Sequence, residues 1–127
     1  MNVAHRASVF FKWLAWIFAV GILVQVLFAG MALFYDTKHW TDHSSFATYI
    51  SLVPVLMLVT AFAARLPTKL RAQTGMLIGM IVLIVWSAMF SSEIGWFAAL
   101  HPVIALLLFF RTMAIIRLTA EWMKSER

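Results

Sequence analysis

Cysteine is absent from the 127 residues. Its absence excludes disulfides, thiolate ligation of haem, iron–sulfur clusters and any cysteine zinc site, and it says nothing of redox compartment. Acidic residues are scarce: Asp36, Asp42, Glu93, Glu121 and Glu126 are the whole set, and none falls inside a long apolar run. Without an intramembrane carboxylate there is no candidate proton relay or cation-coupling group, which argues against an ion-coupled transporter. There is also no Gly-x-Ser-x-Gly elbow, phosphate loop or paired-carboxylate site, so hydrolytic and phosphoryl-transfer chemistry has no candidate residues. Internal repeats and low-complexity segments are lacking too.

What the chain has in abundance is apolar surface. Hydrophobic residues make up 64% and charged residues only 12%, with a mean hydropathy of +0.93. A chain this apolar does not stay soluble as an ordinary globular domain. It reads as an integral membrane protein with room for four spans of about 20 residues and short connections, leaving no space for a soluble catalytic domain. Breaks in the apolar runs place the spans at 13–34, 45–64, 74–90 and 102–118. The expected fold is all-α, an up-down-up-down four-helix bundle forming one transmembrane domain. The first span is as long as a spanning helix and no small-residue cleavage pattern follows it, so it is expected to be retained rather than cleaved as a signal peptide.

Charge orients the bundle. Arg6, Lys12, Arg65, Lys69, Arg71, Arg111, Arg117, Lys124 and Arg127 fall at the N-terminus, in the second loop, or in the last span and tail; Lys38 is the one exception. The positive-inside rule then puts both termini and the loop at 65–71 in the cytoplasm of a bacterial inner membrane, with Asp36, Asp42 and Glu93 outside. The net charge of +5 is absorbed by orientation and by anionic headgroups of the lipid bilayer, so nucleic acid is not an expected partner. Trp13, Trp16, Trp40, Trp96 and Trp122 lie near span ends, as in an aromatic belt.

Helix-end chemistry supports this division. Thr41 and Asp42 are N-cap candidates for the second span, and Thr74 and Gly75 mark the start of the third. Pro102 suits the first turn of the fourth, with His101 at or just before the cap and biased away from helical angles by the following proline. Pro54 is expected to kink the second span and free a carbonyl near Ile50. Gly75-x-x-x-Gly79 offers a close helix contact.

Three histidines group on the outer side. His43 begins the second span and His101 the fourth, at similar depth, so one ligand can bridge them; bis-histidine haem needs two neutral imidazoles facing from different helices across an apolar slot. The competing reading is that both merely cap helices or bond headgroups. His39 and His43 form His-x-x-x-His, which with Asp36, Asp42, Glu93 or His101 would make a zinc or copper site, but His39 is expected in a loop. Gln25, midway along the first span, needs a partner: a hydroxyl, the carbonyl freed by Pro54, or a ligand. Arg111 lies about 15 Å deeper than His101 and must snorkel, pair with polar groups, or meet an acidic ligand group such as a haem propionate. The eight methionines read as packing residues. Ser and Thr at 48, 51, 60 and 87 read as helix–helix glue.

The stretch Gln25-Val-Leu-Phe-Ala-Gly-Met-Ala-Leu-Phe34, then His43, then Ala99-Leu-His-Pro-Val-Ile-Ala105, resembles an uncharacterised bacterial family of small four-span membrane proteins. More distantly, the layout is similar to one four-helix half of heme A synthase, whose second and fourth helices carry haem-ligating histidines near the outer face. The resemblance implies haem b held by His43 and His101, and it carries over to those two residues alone; the expected role is electron transfer or haem handling, with Gln25 and Arg111 as supporting or propionate contacts. Two departures stand out: a proline follows His101, and the duplicated half is missing, so a second haem would need a partner or homodimer. Redox exchange with quinone would follow from a haem site but has no sequence feature of its own. The alternative is a non-enzymatic accessory or assembly subunit of a larger membrane complex, without a cofactor.

Overall fold

The computed structural model describes residues 3–126. It is all-helical among them: α1 (Val3–Phe34), α2 (His39–Ile50), α3 (Val53–Ala63), α4 (Thr68–Met89), the short α5 (Gly95–Ala98) and α6 (Leu100–Ser125). Four stretches are long and apolar enough to cross a membrane: Val3–Phe34, His39–Ala63, Thr68–Met89 and Gly95–Ser125. Their outward faces carry large apolar side chains, such as Leu23, Val59, Leu83 and Leu106. Helices that are apolar all round suit lipid on one side and protein on the other.

The four spans close a ring. α1 packs on α3 and α6, and α4 packs on the same two helices. Residues at helical spacing build the interior: Phe11, Leu14, Phe18 and Ile22 of α1 meet Met57 and Ala61 of α3, Leu70 and Leu77 of α4, and Ile104, Leu108 and Ile115 of α6. The buried hydroxyls return to their own helices. Thr60, Thr74, Thr112 and Thr119 each donate to the carbonyl four residues back, at 2.6–2.9 Å. Thr48 and Ser51 also bond within their own helix. Of the four expected glue positions, only Ser87 reaches another helix.

The helices overrun the apolar stretches from which the spans were read. α1 begins at Val3 rather than 13, α4 at Thr68 rather than 74, and α6 continues to Ser125. An apolar run marks the part of a helix that lipid requires, while its hydrogen-bond ladder continues into polar sequence. Pro67, not Thr74 or Gly75, precedes α4, and Thr74 lies buried inside it. Lys38 takes the N-cap of α2 without a side-chain cap, so Thr41 and Asp42 fall in its first turn. Asp42 is still well placed there, against the positive end of the helix.

Pro54 breaks the second span as expected. α2 ends at Ile50 and α3 starts at Val53, with Pro54 in the first turn of α3. The residue four beyond Ile50 is this proline, which has no N–H to give, so the Ile50 carbonyl loses its helical donor. Gly21 of α1 fits here because a Cβ at that position would collide with the Ile50 side chain. α3 then closes in a Schellman turn: Leu66 N–H donates to Ala61 O and Arg65 N–H to Phe62 O, each at 3.0 Å. Arg65 takes the left-handed angle (φ 53°) that this turn requires, and buried Leu66 plugs the end of the bundle.

Candidate functional site: a histidine pair over an apolar cavity

His43 and His101 are brought together. Their ring centres lie 6.1 Å apart, with the planes tilted by 52°. The ring of His43, on the second turn of α2, places Nδ1 3.0 Å from the Gln25 carbonyl of α1. On the opposite wall, Nδ1 of His101 lies 3.1 Å from the Ile84 carbonyl of α4 and 3.1 Å from Ser87 Oγ. A carbonyl only accepts, so each Nδ1 carries the proton and donates, and each Nε2 keeps its lone pair. Neither Nε2 has a hydrogen-bond partner among the described residues. Trp40 meets the His43 ring edge-on at 5.7 Å.

His101 takes helical angles as the second residue of α6, against the bias of the proline that follows. Pro102 falls in the first turn, where a helix N–H has no partner to lose. The Nδ1 bonds of His101 to α4 then fix its ring.

Both histidines line a cavity of about 510 Å³ that runs between α2 on one side and α4 and α6 on the other, with α1 behind. The walls are apolar, formed by residues such as Phe18, Ile22, Ile81 and Leu108, and no Asp, Glu, Lys or Arg contributes to them. Gln25 also lines it. Its Oε1 is buried without a hydrogen-bond partner, so no hydroxyl donates to it among the described residues. The volume falls within the ordinary range for small-molecule and cofactor sites, roughly 300–1,000 Å³.

The donor set would suit a bis-histidine haem: two imidazoles from different helices, 6.1 Å apart between ring centres, would hold its iron through Nε2 beside apolar walls. An Nδ1–H bonded to a main-chain carbonyl is the usual arrangement that orients a metal-ligating imidazole.

Two expected contacts lie elsewhere. Arg111 is exposed and does not line the cavity; its Nη1 donates to Gln73 Oε1 of α4 at 3.2 Å. Ten residues of helix separate it from His101, and its bond to Gln73 is the polar pairing expected as one of its alternatives. His39 opens α2 rather than sitting in a loop, because the turn before it is closed by His39 N–H to Asp36 O at 3.1 Å. Its Nδ1 pairs with Asp42 Oδ2 at 2.6 Å, and its ring stacks on Tyr35. Among the described residues, no three of His, Asp or Glu come together as a metal-ion site.

The site also includes the carbonyls of Gln25 and Ile84, not expected from the sequence, and the hydroxyl of Ser87, expected only as helix–helix glue. Carbonyls leave no signal in a sequence. Ser87 has a weak one, since antiparallel spans either side of a loop at 90–100 bring it to the depth of His101.

Fold and site together define a four-span membrane bundle with a paired-histidine cavity. Residues 25–90 match a family described as a family of unknown function (DUF6220). The match covers just over half of the chain, and the protein belongs to that family. It takes in Gln25, His43, Ile84 and Ser87, and ends before His101. Neither the curated proteins nor the solved structures contain a match to the chain.

Proposed function

We propose that this protein binds one b-type haem between His43 and His101 and serves electron transfer or haem handling. In this reading it lies in a bacterial cytoplasmic membrane with both termini on the cytoplasmic side, the orientation favoured by its basic residues. The observation that carries the proposal is the histidine pair: two rings from different helices, 6.1 Å apart, each with Nδ1 on a carbonyl and Nε2 without a partner. The similarity to one half of heme A synthase at these two positions supports the same assignment. Bound haem would supply one-electron redox chemistry. The chain's residues do the rest. His43 and His101 offer Nε2, the Gln25 carbonyl holds the His43 tautomer, the Ile84 carbonyl and the Ser87 hydroxyl together face the His101 Nδ1, and the apolar walls exclude water.

A second reading, an accessory or assembly subunit without a cofactor, draws support from α4. Among the described residues nothing lies within 4 Å of a Cβ built on Gly75 or Gly79, so none of them packs on this small-residue face, which is open to another helix.

Absorption spectra separate the two. Protein purified in mild detergent from haem-replete cells is expected to show a Soret band and sharp reduced α and β bands, lost in both His43→Ala and His101→Ala. A colourless, folded protein that takes up no haem on reconstitution refutes the haem reading and leaves the accessory one.

A further inference from the structure

The two histidines are not held alike. His43 has one acceptor for its Nδ1–H, the Gln25 carbonyl. His101 has two, and they are bonded to one another: Ser87 Oγ donates to the Ile84 carbonyl at 2.6 Å, while His101 Nδ1 lies 3.1 Å from each of them. Ser87 is fully buried on α4. The Ile84 carbonyl sits inside α4, where a regular helix already assigns it the N–H of residue 88. Its second lone pair is taken by the short bond from Ser87, so a third donor finds it oversubscribed. The Ser87 oxygen, its proton committed to Ile84, still has lone pairs free. The hydroxyl is thus the acceptor with capacity for the His101 Nδ1–H. If the hydroxyl turned instead toward Nδ1, His101 would carry its proton on Nε2 and lose the lone pair it presents to the cavity.

We propose that Ser87 is a positioning residue that fixes His101 as the Nδ1–H tautomer and so keeps its Nε2 available to a ligand in the cavity. The ligand part of this statement rests on the haem reading above; the tautomer part does not. The relay from the Ile84 carbonyl through the Ser87 hydroxyl to the His101 ring locks an imidazole by way of a neighbouring helix, and it ties α4 to α6 at the site.

The tautomer is read without any ligand. In protein labelled with ¹⁵N-histidine and held above the titration range of imidazole, long-range ¹H–¹⁵N correlations are expected to show His101 with Nδ1 protonated and Nε2 bare. Ser87→Ala should give a mixture of tautomers, and Ser87→Thr, which keeps the hydroxyl, should restore the wild-type pattern. Haem affinity is expected to fall by about tenfold in Ser87→Ala, the low end for losing such a partner, because the Ile84 carbonyl remains. Far-ultraviolet circular dichroism checks that each variant is folded, and Ser87→Cys, of similar size with a weaker donor, should give an intermediate tautomer ratio if Ser87→Ala does not fold. A wild-type His101 protonated on Nε2, or a tautomer unchanged in folded Ser87→Ala or Ser87→Cys, would overturn the proposal. A chain that binds no haem yet loses its His101 tautomer in Ser87→Ala refutes the haem reading while upholding the role of Ser87.

Discussion

Filling the cavity without touching either histidine tests whether the ligand occupies it. Ala105 lines the cavity one turn beyond His101 and is half-buried. Ala105→Phe adds roughly 100 Å³ of side chain, a change that costs about 1–3 kcal/mol where a core is already close-packed. The cavity here measures about 510 Å³, so the ring has room and thermal stability should stay near that of the wild type. A haem spanning the histidines would share that space. Overlap should weaken its binding at least about 100-fold, equivalent to roughly 2.8 kcal/mol, whereas Ala105→Ser should bind as the wild type does. The assay is an absorbance titration with haem in detergent, beside a thermal melt of each apoprotein. A folded Ala105→Phe that binds haem normally, with a bis-histidine spectrum, would show that haem lies outside this cavity. A melt lowered as overpacking predicts would refute the volume itself.

Pro54→Ala restores a donor to the Ile50 carbonyl and should join α2 to α3. Straightening a kink of about 20° moves the far end of an 18 Å helix by about 6 Å, which spin labels on Thr41→Cys and Met89→Cys report in a chain free of other cysteines; an unchanged distance distribution rejects proline as the cause of the break. Arg111→Gln should leave haem affinity and spectrum unchanged and cost less than about 1 kcal/mol in stability, because an exposed polar pair contributes little; lost haem binding would return Arg111 to the site. The Lys38 N–H donates to Asp36 at 2.9 Å, and this bond, followed by the nearby Lys38 ammonium, holds the Asp36 carboxyl below the ordinary carboxylate range. A lowered carboxyl pKa contributes stability above the unfolded-state value and loses it as pH falls through the folded one. A ¹³C titration should therefore find Asp36 below the ordinary range and only partly shifted upward in Lys38→Ala, which removes the ammonium and keeps the N–H; no shift would reject the ammonium as a contributor. Membrane-impermeant maleimide on intact cells should label Thr37→Cys and spare Lys69→Cys, and the reverse pattern would invert the proposed orientation.

The sequence disclosed what lipid demands and concealed what neighbouring helices settle between themselves. Apolar runs exposed the four spans because bilayer thickness selects their length and composition. The pairing of His43 with His101 was legible for the same reason: each stands at the start of a run on the same side. Helix ends were not legible, since the polar segments at 68–73 and 119–125 continue the helices without any change in hydropathy that marks where they stop. Arg111 illustrates a different limit. Its depth was readable, but its partner Gln73 was not, because the pairing depends on the rotation of α6 against α4. Rotation also separates Ser87, which faces His101, from Thr48 and Ser51, which turn back on their own helix.

The chemistry of the cavity narrows what it is built to accept. His43 Nε2, His101 Nε2 and Gln25 Oε1 are acceptors, and no cationic side chain lines the walls to meet them. Of these, Gln25 Oε1 is buried without a partner, and such an acceptor costs about 1–3 kcal/mol, so packing alone gives no reason to place it there. The complement of the three is a Lewis acid or a hydrogen-bond donor. A bare divalent cation is a poor match, because two neutral imidazoles leave its charge uncompensated among apolar walls, and no carboxylate stands within the lining to offset it. A metal already neutralised by its own macrocycle avoids that penalty. Under the proposed haem reading, His43 and His101 would supply two nitrogens to such a metal, and the apolar residues of α2, α4 and α6 around them would supply the slot.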